Sequence, residues 1–396
     1  MSGDMGGTSF DIGFVVDGEP SYALRPDVEG FGCNLPMLAI RALGAGGGSI
    51  AEVVDGVLRV GPQSAGALPG PACFGLGGKR ATVTDANLVL GWLDPEYFLG
   101  GSKKLDREKA MAAIEQDVAT PLGISVSEAA WLIKETVEAD VGRELGALRK
   151  DMGPHPDPLL VVYGGAGPLH SCAIAQASGI STLVVTPFSA VFSAYSSSLM
   201  DVGHLYYRRL DLPLHEGADL SPVDQAVGEL RRRAEADMRG EGFAADSVGW
   251  ELELIVRSDA GEEAKIAAPI DFHHSPAGRR AVQEKAAALL GLDGNPALTL
   301  CTLGLFGKAP VAHYLPREVP ATSAPLDAAW RGQRQVSLHR RGPAVGVDVY
   351  DRELLGNGHQ VAGPVIVESR QTTMVIPEGW SLKVDRYDNA LIERMQ

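Results

Sequence analysis

Asp4-Met5-Gly6-Gly7-Thr8-Ser9-Phe10-Asp11 sets two carboxylates, adjacent glycines and two hydroxyls in one short stretch, directly ahead of Ile12-Gly13-Phe14-Val15-Val16. Adjacent glycines let backbone N–H groups close on an anion with no Cβ in the way, and Thr8 and Ser9 add hydroxyl donors. Asp4 and Asp11 repel a phosphate directly, but a hard cation between carboxylate and phosphate oxygens makes the arrangement favourable. These residue types describe half of a nucleotide site. They equally describe a glycine turn between strands with Asp11 capping a hairpin, and spacing alone leaves both readings open.

A second glycine cluster, Gly164-Gly165-Ala166-Gly167, follows the all-apolar run Leu159 to Tyr163 and leads through Pro168-Leu169-His170 into a helical stretch to Ser178. With the apolar run Ile180 to Val185 behind it, this order predicts a right-handed βαβ unit. Its turn offers N–H groups and a helix N-terminus to an anion or a nucleotide. His170 opens that helix, where the dipole favours an uncharged imidazole; it serves proton transfer or metal binding, or else caps and packs. Gly46-Gly47-Gly48-Ser49 has the composition of a further anion loop, suited to a substrate being phosphorylated. Asp85, in Thr82-Val83-Thr84-Asp85-Ala86-Asn87, either reaches the cleft as a general base or metal ligand or caps a short helix ending near Gly91.

The elements that must position these residues are legible in outline. Phe10 to Val16 and Glu19 to Leu24 predict a hairpin about Asp17-Gly18, and Asp55-Gly56 marks a second. Turn formers crowd residues 61 to 78 into an ordered irregular loop. A helix from about Glu128 to Arg149 opens on the capping box Ser125-Val126-Ser127-Glu128, carries Ile133, Val137, Val141, Leu145 and Leu148 on one stripe, and ends before Met152-Gly153-Pro154. Ser193 to Ser198 reads as a packed turn. Beyond Leu210 the pattern changes to a charged helix over 221 to 240, a strand over Trp250 to Val256 and a helix over Pro276 to Leu290. Arg231-Arg232-Arg233 reads as a solvated helix face and His273-His274 as exposed and inert. Short strands after about 335 predict an all-β end. Boundaries fall near 205 and 335.

The 396 residues are enough for two or three domains, and 45% hydrophobic with 21% charged content is that of a globular protein. A net charge of −15 argues against a nucleic-acid or anionic-membrane surface. Cys33, Cys73, Cys172 and Cys301 lie far apart with no CxxC pair, which indicates buried thiols in a reducing compartment. No apolar run reaches the roughly 18 residues of a membrane span, and the start has no basic, apolar leader. The expected location is the cytoplasm.

Asp4 to Asp11 resembles the second phosphate loop of the actin, sugar-kinase and heat-shock-chaperone ATPases, and Gly164 to Gly167 resembles their adenosine loop. More specifically, Gly44-Ala45-Gly46-Gly47-Gly48-Ser49, Val60 to Gly66, Pro69-Gly70-Pro71-Ala72-Cys73, Thr82 to Asn87 and Tyr163 to His170 together resemble the hydantoinase A and 5-oxoprolinase family, which includes ATP-using subunits of acetone and acetophenone carboxylases. Gly363 to Glu368 and Pro377-Glu378-Gly379-Trp380 are similar to that family's C-terminal β domain. The resemblance implies an α/β, actin-like (ribonuclease H-like) ATPase lobe over 1–205, an α+β segment over 206–335 and a small all-β domain over 336–396.

It also implies roles. ATP would be held with Mg2+ or Mn2+, Gly6, Gly7, Thr8, Ser9 and Asp11 serving the phosphates, Asp4 the metal, and Gly164, Gly165, Ala166 and Gly167 the adenosine. The expected reaction activates a ketone or bicarbonate for carboxylation; the alternatives are hydrolysis of a cyclic amide, as in hydantoinases and oxoprolinases, or a degenerate lobe acting as a scaffold. Implied partners are a complementary ATPase half and a hydantoinase B-type subunit, one of which can carry a transition metal. Two departures stand out. The family's earlier Asp-Gly-Gly-Thr phosphate loop is not in this chain, so the other half of the site is expected on another polypeptide or in a removed upstream part. Ala39 and Arg41 stand where many relatives hold an acidic residue and a histidine, which implies that any metal-ligand set there is lost; Cys33 and Asn34 lie nearby, but the stretch reads better as a plain loop than as a replacement set.

Overall fold

Leu159 to Tyr163 and Ser2 to Met5 lie side by side at the centre of an eight-stranded sheet in the computed structural model. The structure describes all residues except Asp17, Glu29, Asn34, 152–157, Asn295 and Gln396. The Asp17-Gly18 turn, Asn34 and the helix end at Met152-Gly153-Pro154 therefore fall wholly or partly outside the described residues. The chain divides into two compact units, Met1–Ser21 with Leu38–Tyr195 and Leu315–Gln396, and Tyr22–Met37 with Ser196–Tyr314.

In the first unit, β1 (Ser2–Met5) pairs antiparallel with β2 (Phe10–Gly13) and parallel with β3 (Leu159–Tyr163), which pairs parallel with β4 (Thr182–Val185). Arg41–Leu43 extends the sheet beyond β2. Beyond β4 come Ala390–Arg394, Trp380–Val384 and Gln360–Ala362, so the α/β lobe is completed from the far end of the chain. The other C-terminal strands, Trp330–Val336, Val345–Asp351, Val365–Glu368 and Thr373–Ile376, make a separate four-stranded sheet.

The expected hairpin forms only at its tip, where Val15–Val16 pairs with Glu19–Pro20, because Phe10 and Ile12 are drawn into the core beside β1. Asp11 thus sits in a strand opposite Asp4 rather than capping a turn. The second hairpin is as expected: Ser49–Val54 pairs with Val57–Ser64, and Asp55 and Gly56 both take positive φ, as a tight two-residue turn requires.

Three helices position the site: α1 (Val83–Val89), α2 (Val126–Asp151) and α3 (Gly167–Ser178). The Ser125 hydroxyl accepts the Glu128 N–H, as the capping box predicts. The stripe Ile133, Val137, Val141 and Leu145 is buried, each such side chain contributing about 1.5–3 kcal/mol. Lys134 and Glu138 lie within the same buried helix face. A Cβ at Gly142 would collide with the Ala177 methyl, so glycine there lets α2 approach α3 closely. That approach brings Glu138 within reach of His170.

The second unit is a four-stranded antiparallel sheet in the order Val202–Pro213, Leu298–Ala309, Gly249–Ser258 and Glu263–Ala268. Helix Ser221–Gly240 turns Val223, Ala226, Leu230, Ala234 and Met238 inward, a helical-period stripe. Arg231, Arg232 and Arg233 are exposed on its other side, as expected. His273 is not: it is buried at 3% exposure, and both His273 and His274 meet Asp224 Oδ1, at 2.9 and 2.8 Å. The histidine turn is thereby tied to the helix that carries Asp224. Among the described residues no helix is long and apolar enough to cross a membrane. Leu303, fully buried in the central strand, should cost about 2–5 kcal/mol on replacement by alanine. A urea unfolding midpoint, compared with the native chain, checks this.

Candidate functional site

Register places Asp4 directly opposite Asp11 at the end of the β1–β2 pair, where the chain turns through Gly6, Gly7, Thr8 and Ser9. The Gly6 N–H closes the turn onto the Ser9 carbonyl at 3.1 Å. Gly7 and Thr8 are exposed at the tip, and among the described residues their amides meet no acceptor. The Ser193 hydroxyl donates to Asp4 Oδ2 and the Ser9 hydroxyl to Asp11 Oδ2, both at 3.2 Å. Burial raises the Asp4 carboxyl above its ordinary range, the Ser193 bond lowers it in part, and the Asp11 charge raises it further. A divalent cation would relieve that repulsion, and the exposed amides beside it suit phosphate oxygens. The residues present therefore fit a metal–phosphate group.

The triple glycine does something other than expected. Gly47 and Gly48 donate their N–H groups to the Gly6 and Gly7 carbonyls at 3.0 and 2.7 Å. Gly46 N–H goes to the Ser49 hydroxyl at 2.8 Å and Ser49 N–H to the Gly46 carbonyl at 3.0 Å. No donor of Gly46-Gly47-Gly48-Ser49 is left for an anion, so the stretch is a brace behind the phosphate loop, not a second anion loop. A Cβ on Gly46 would lie 2.6 Å from Thr8 N and one on Gly48 2.8 Å from Gly7 O, which is why both are glycine.

The second glycine cluster meets the same loop. Gly164 takes φ +82°, and a Cβ there would overlap the Met5 carbonyl and lie 2.5 Å from Asp4 Oδ1. Ala166 N–H donates to the Met5 carbonyl at 3.0 Å, while Gly165 is exposed ahead of the α3 N-terminus. Asp4, Gly6 to Ser9 and Asp11 are thus gathered with Gly164 to Gly167.

Asp85 and His170 lie below this surface. Asp85 has no exposure; its oxygens accept from Ala72 N (3.2 Å), Cys73 N (2.7 Å), Thr82 N (3.0 Å) and Thr82 Oγ1 (2.7 Å). Thr82 is the N-cap of α1 and Asp85 its reciprocal partner in a capping box. Burial raises the Asp85 carboxyl and these donors oppose it. Of the two expected roles, a base in the cleft does not fit this geometry, because the carboxylate is fully buried and its oxygens accept from the N-cap of α1 and from the Ala72 and Cys73 amides, fastening that loop to the helix. His170 is also enclosed, with Nδ1 2.8 Å from Glu138 Oε1 and Nε2 3.0 Å from Asn87 Nδ2. Glu138 in turn accepts from Lys134 Nζ at 2.7 Å, and that ammonium lies over the Trp92 and Trp131 rings.

A cleft of about 200 Å3 opens beside the phosphate loop. Gly6, Gly7 and Gly165 form one side, Asn87 and Thr84 the floor, and Phe74 with Tyr97 part of an apolar wall. The remaining side is the turn from Glu368 to Thr373, fixed by the Thr372 hydroxyl on the Gly165 carbonyl at 3.1 Å and by Arg334, which binds both oxygens of Glu368. Sequence reasoning did not place this turn or Asn87 at the site. The one available signal was Lys134 and Glu138, charged residues inside an otherwise apolar stripe.

A glycine loop between two strands of a large mixed sheet, facing a glycine turn at a helix N-terminus, gives the chain an actin-like α/β lobe. The hydantoinase/oxoprolinase profile matches residues 1–205, and the hydantoinase/oxoprolinase C-terminal domain profile matches 301–392. The chain belongs to the hydantoinase/oxoprolinase family. It is 33% identical to the acetophenone carboxylase gamma subunit of Aromatoleum aromaticum over 420 aligned residues, 99% of this chain and 56% of that protein. Its fold superposes on nucleotide-free acetone carboxylase with a TM-score of 0.83 at 26% identity, and on ATP-dependent caprolactamase from Pseudomonas jessenii with 0.79 at 31%. Each match covers 99% of this chain and 58% of the other, so the chain spans little more than half the length of these relatives.

The brace yields a paired test. Gly48→Ala forces a Cβ onto the Gly7 carbonyl and should cost about 1–3 kcal/mol, whereas Gly7→Ala, with nothing within 4 Å, should stay within about 1 kcal/mol of native. Urea denaturation of both variants reads the difference.

Proposed function

We propose that this chain supplies the second-phosphate-loop half of an ATP site that activates a carbonyl substrate by phosphoryl transfer, the complementary half coming from elsewhere in the complex. The observation that carries this reading is the pair of facing carboxylates, Asp4 and Asp11, beside the unengaged Gly7 and Thr8 amides. ATP with Mg2+ or Mn2+, when bound, supplies the phosphoryl group and the neutralising charge. Asp4 holds the cation side, the Gly7 and Thr8 amides orient phosphate oxygens, and the Ser9 hydroxyl holds the Asp11 carboxylate in place, catalysis by positioning and charge. Gly164 to Gly167 give the adenosine access to backbone. Gly46 to Ser49 keep the loop in place from behind, and Asp85 and His170 act as positioning residues.

The substrate reading is ketone carboxylation, with a ketone or bicarbonate as phosphoryl acceptor; it is supported by the likeness to the acetophenone carboxylase gamma subunit. Cyclic-amide hydrolysis is the second reading, supported by the likeness to caprolactamase. Both need the same first step, electrophilic activation of a carbonyl. The names of the relatives as subunits support a hetero-oligomer.

The test is ATP consumption by the native complex with bicarbonate plus acetone or acetophenone, against hydantoin, 5-oxoproline and caprolactam. Asp4→Asn should lower turnover roughly 100-fold or more with assembly unchanged by gel filtration. Turnover that survives makes the loop structural, and absence of nucleotide binding in the complete complex makes the lobe a scaffold. Only the deprotonated carboxylate holds a cation, and the Asp4 carboxyl is raised. Binding of Mg2+ or Mn2+ to the metal-free complex should therefore weaken on acidification at a higher pH than an ordinary aspartate would give, read by titrating the metal alone, and chelation should abolish turnover.

A further inference from the structure

We propose that Asp224, His273 and His274 bind a transition-metal dication of the Zn2+ class, which clamps the histidine turn to the helix Ser221–Gly240. All three residues belong to the second compact unit, so the site is independent of the phosphate loop and of the ATP reading. One ligand atom from each residue lies within 4.8 Å of the other two. His273 Nε2 is 2.9 Å and His274 Nε2 2.8 Å from the same atom, Asp224 Oδ1.

That convergence is unusual for neighbours in the chain. Phe272–His274 is one 3-10 turn, and consecutive residues of such a turn point about 120° apart. Yet the two imidazoles lie with centroids 4.2 Å apart and meet one carboxylate oxygen. Two separate hydrogen bonds would be served by one ring on each oxygen, whereas convergence on one atom is what a shared ion needs.

The turn is held without help from Asp224. Phe272 is buried in the core of the unit, and the His274 N–H donates to the Asp271 carbonyl at 2.9 Å. Arg279 Nε donates to the His273 carbonyl at 2.7 Å, and the Ser275 hydroxyl accepts the Gly278 N–H at 3.0 Å to cap the next helix. His273 is buried, and its Nδ1 has no partner among the described residues, so Nε2 is the atom through which this ring meets its neighbours. The ligand set is therefore carried on fixed backbone.

The donor types select the ion. Two imidazole nitrogens and one carboxylate oxygen suit Zn2+, Co2+ or Ni2+, while Mg2+ and Ca2+ take oxygen ligands. Bonds of about 2.0–2.1 Å in a tetrahedral site set ligand atoms about 3.3–3.4 Å apart. The present contacts must open by about half an ångström, which Asp224 and His274 can give, their side chains being 59% and 58% exposed. The same exposure leaves the fourth position to water.

The native complex, stripped by chelation and refilled with Mg2+, is titrated with Zn2+ in a calorimeter. It should take up one more equivalent per copy of this chain than either His274→Ala or Asp224→Asn, each of which should weaken that site at least about tenfold. Co2+ in place of Zn2+ should give the visible absorption of a four-coordinate ion, lost in both variants. Zn2+ should raise the thermal unfolding midpoint of the native chain and not that of the variants. If Asp224→Asn does not fold, His274→Ala, which alters an exposed side chain, carries the test. Equal Zn2+ uptake by native and variant, or displacement of the ion by excess Mg2+, overturns the site. A midpoint that Zn2+ raises equally in all three overturns the clamp.

Discussion

The site depends on backbone lying against backbone. Gly47 and Gly48 hold the Gly6 and Gly7 carbonyls from behind, and Gly164 sits against the Met5 carbonyl with no room for a Cβ. With its carbonyls engaged on one side, the phosphate loop leaves the Gly7 and Thr8 amides on the other. Three stretches far apart in sequence thus form one preorganised surface, and such surfaces act on developing charge without reorganising when it appears. Side-chain interactions of comparable strength could not hold the loop so closely, because any side chain would stand where the neighbouring backbone must be.

Beneath this surface runs the row Lys134, Glu138, His170 and Asn87. Burying ions is costly, and a buried pair is by itself weak support for stability. Here the pair is neutral overall, its ammonium also lies over the Trp92 and Trp131 rings, and it holds His170 against Asn87. Close packing of α2 on α3 at Gly142 makes the row possible, so a glycine in one helix governs the chemistry four residues before it.

The far end of the chain contributes more than a cover. Three C-terminal strands extend the central sheet and the Glu368 to Thr373 turn closes one side of the cleft, anchored on Gly165 by Thr372. The cleft wall and the phosphate loop are therefore coupled through the Gly165 backbone.

Local structure was legible in the sequence: the βαβ order, the Asp55-Gly56 turn and the capped helix all follow from residue type and spacing, because each is set by neighbours in the chain. What the donors of Gly46 to Ser49 would bind was not, since an unengaged amide and one bonded to a distant carbonyl have the same sequence. The capping box at Thr82 was half legible, its helix end clear but the Ala72 and Cys73 amides on Asp85 contributed from another loop. Asn87 and the 368–373 turn came only with the tertiary structure. Sequence by itself determined which groups could meet a phosphate and a metal, through glycine permissiveness and carboxylate charge. Only folding decided which amides stayed unengaged and which were bonded to a distant carbonyl, because that depends on partners that the chain brings together from tens to hundreds of residues away.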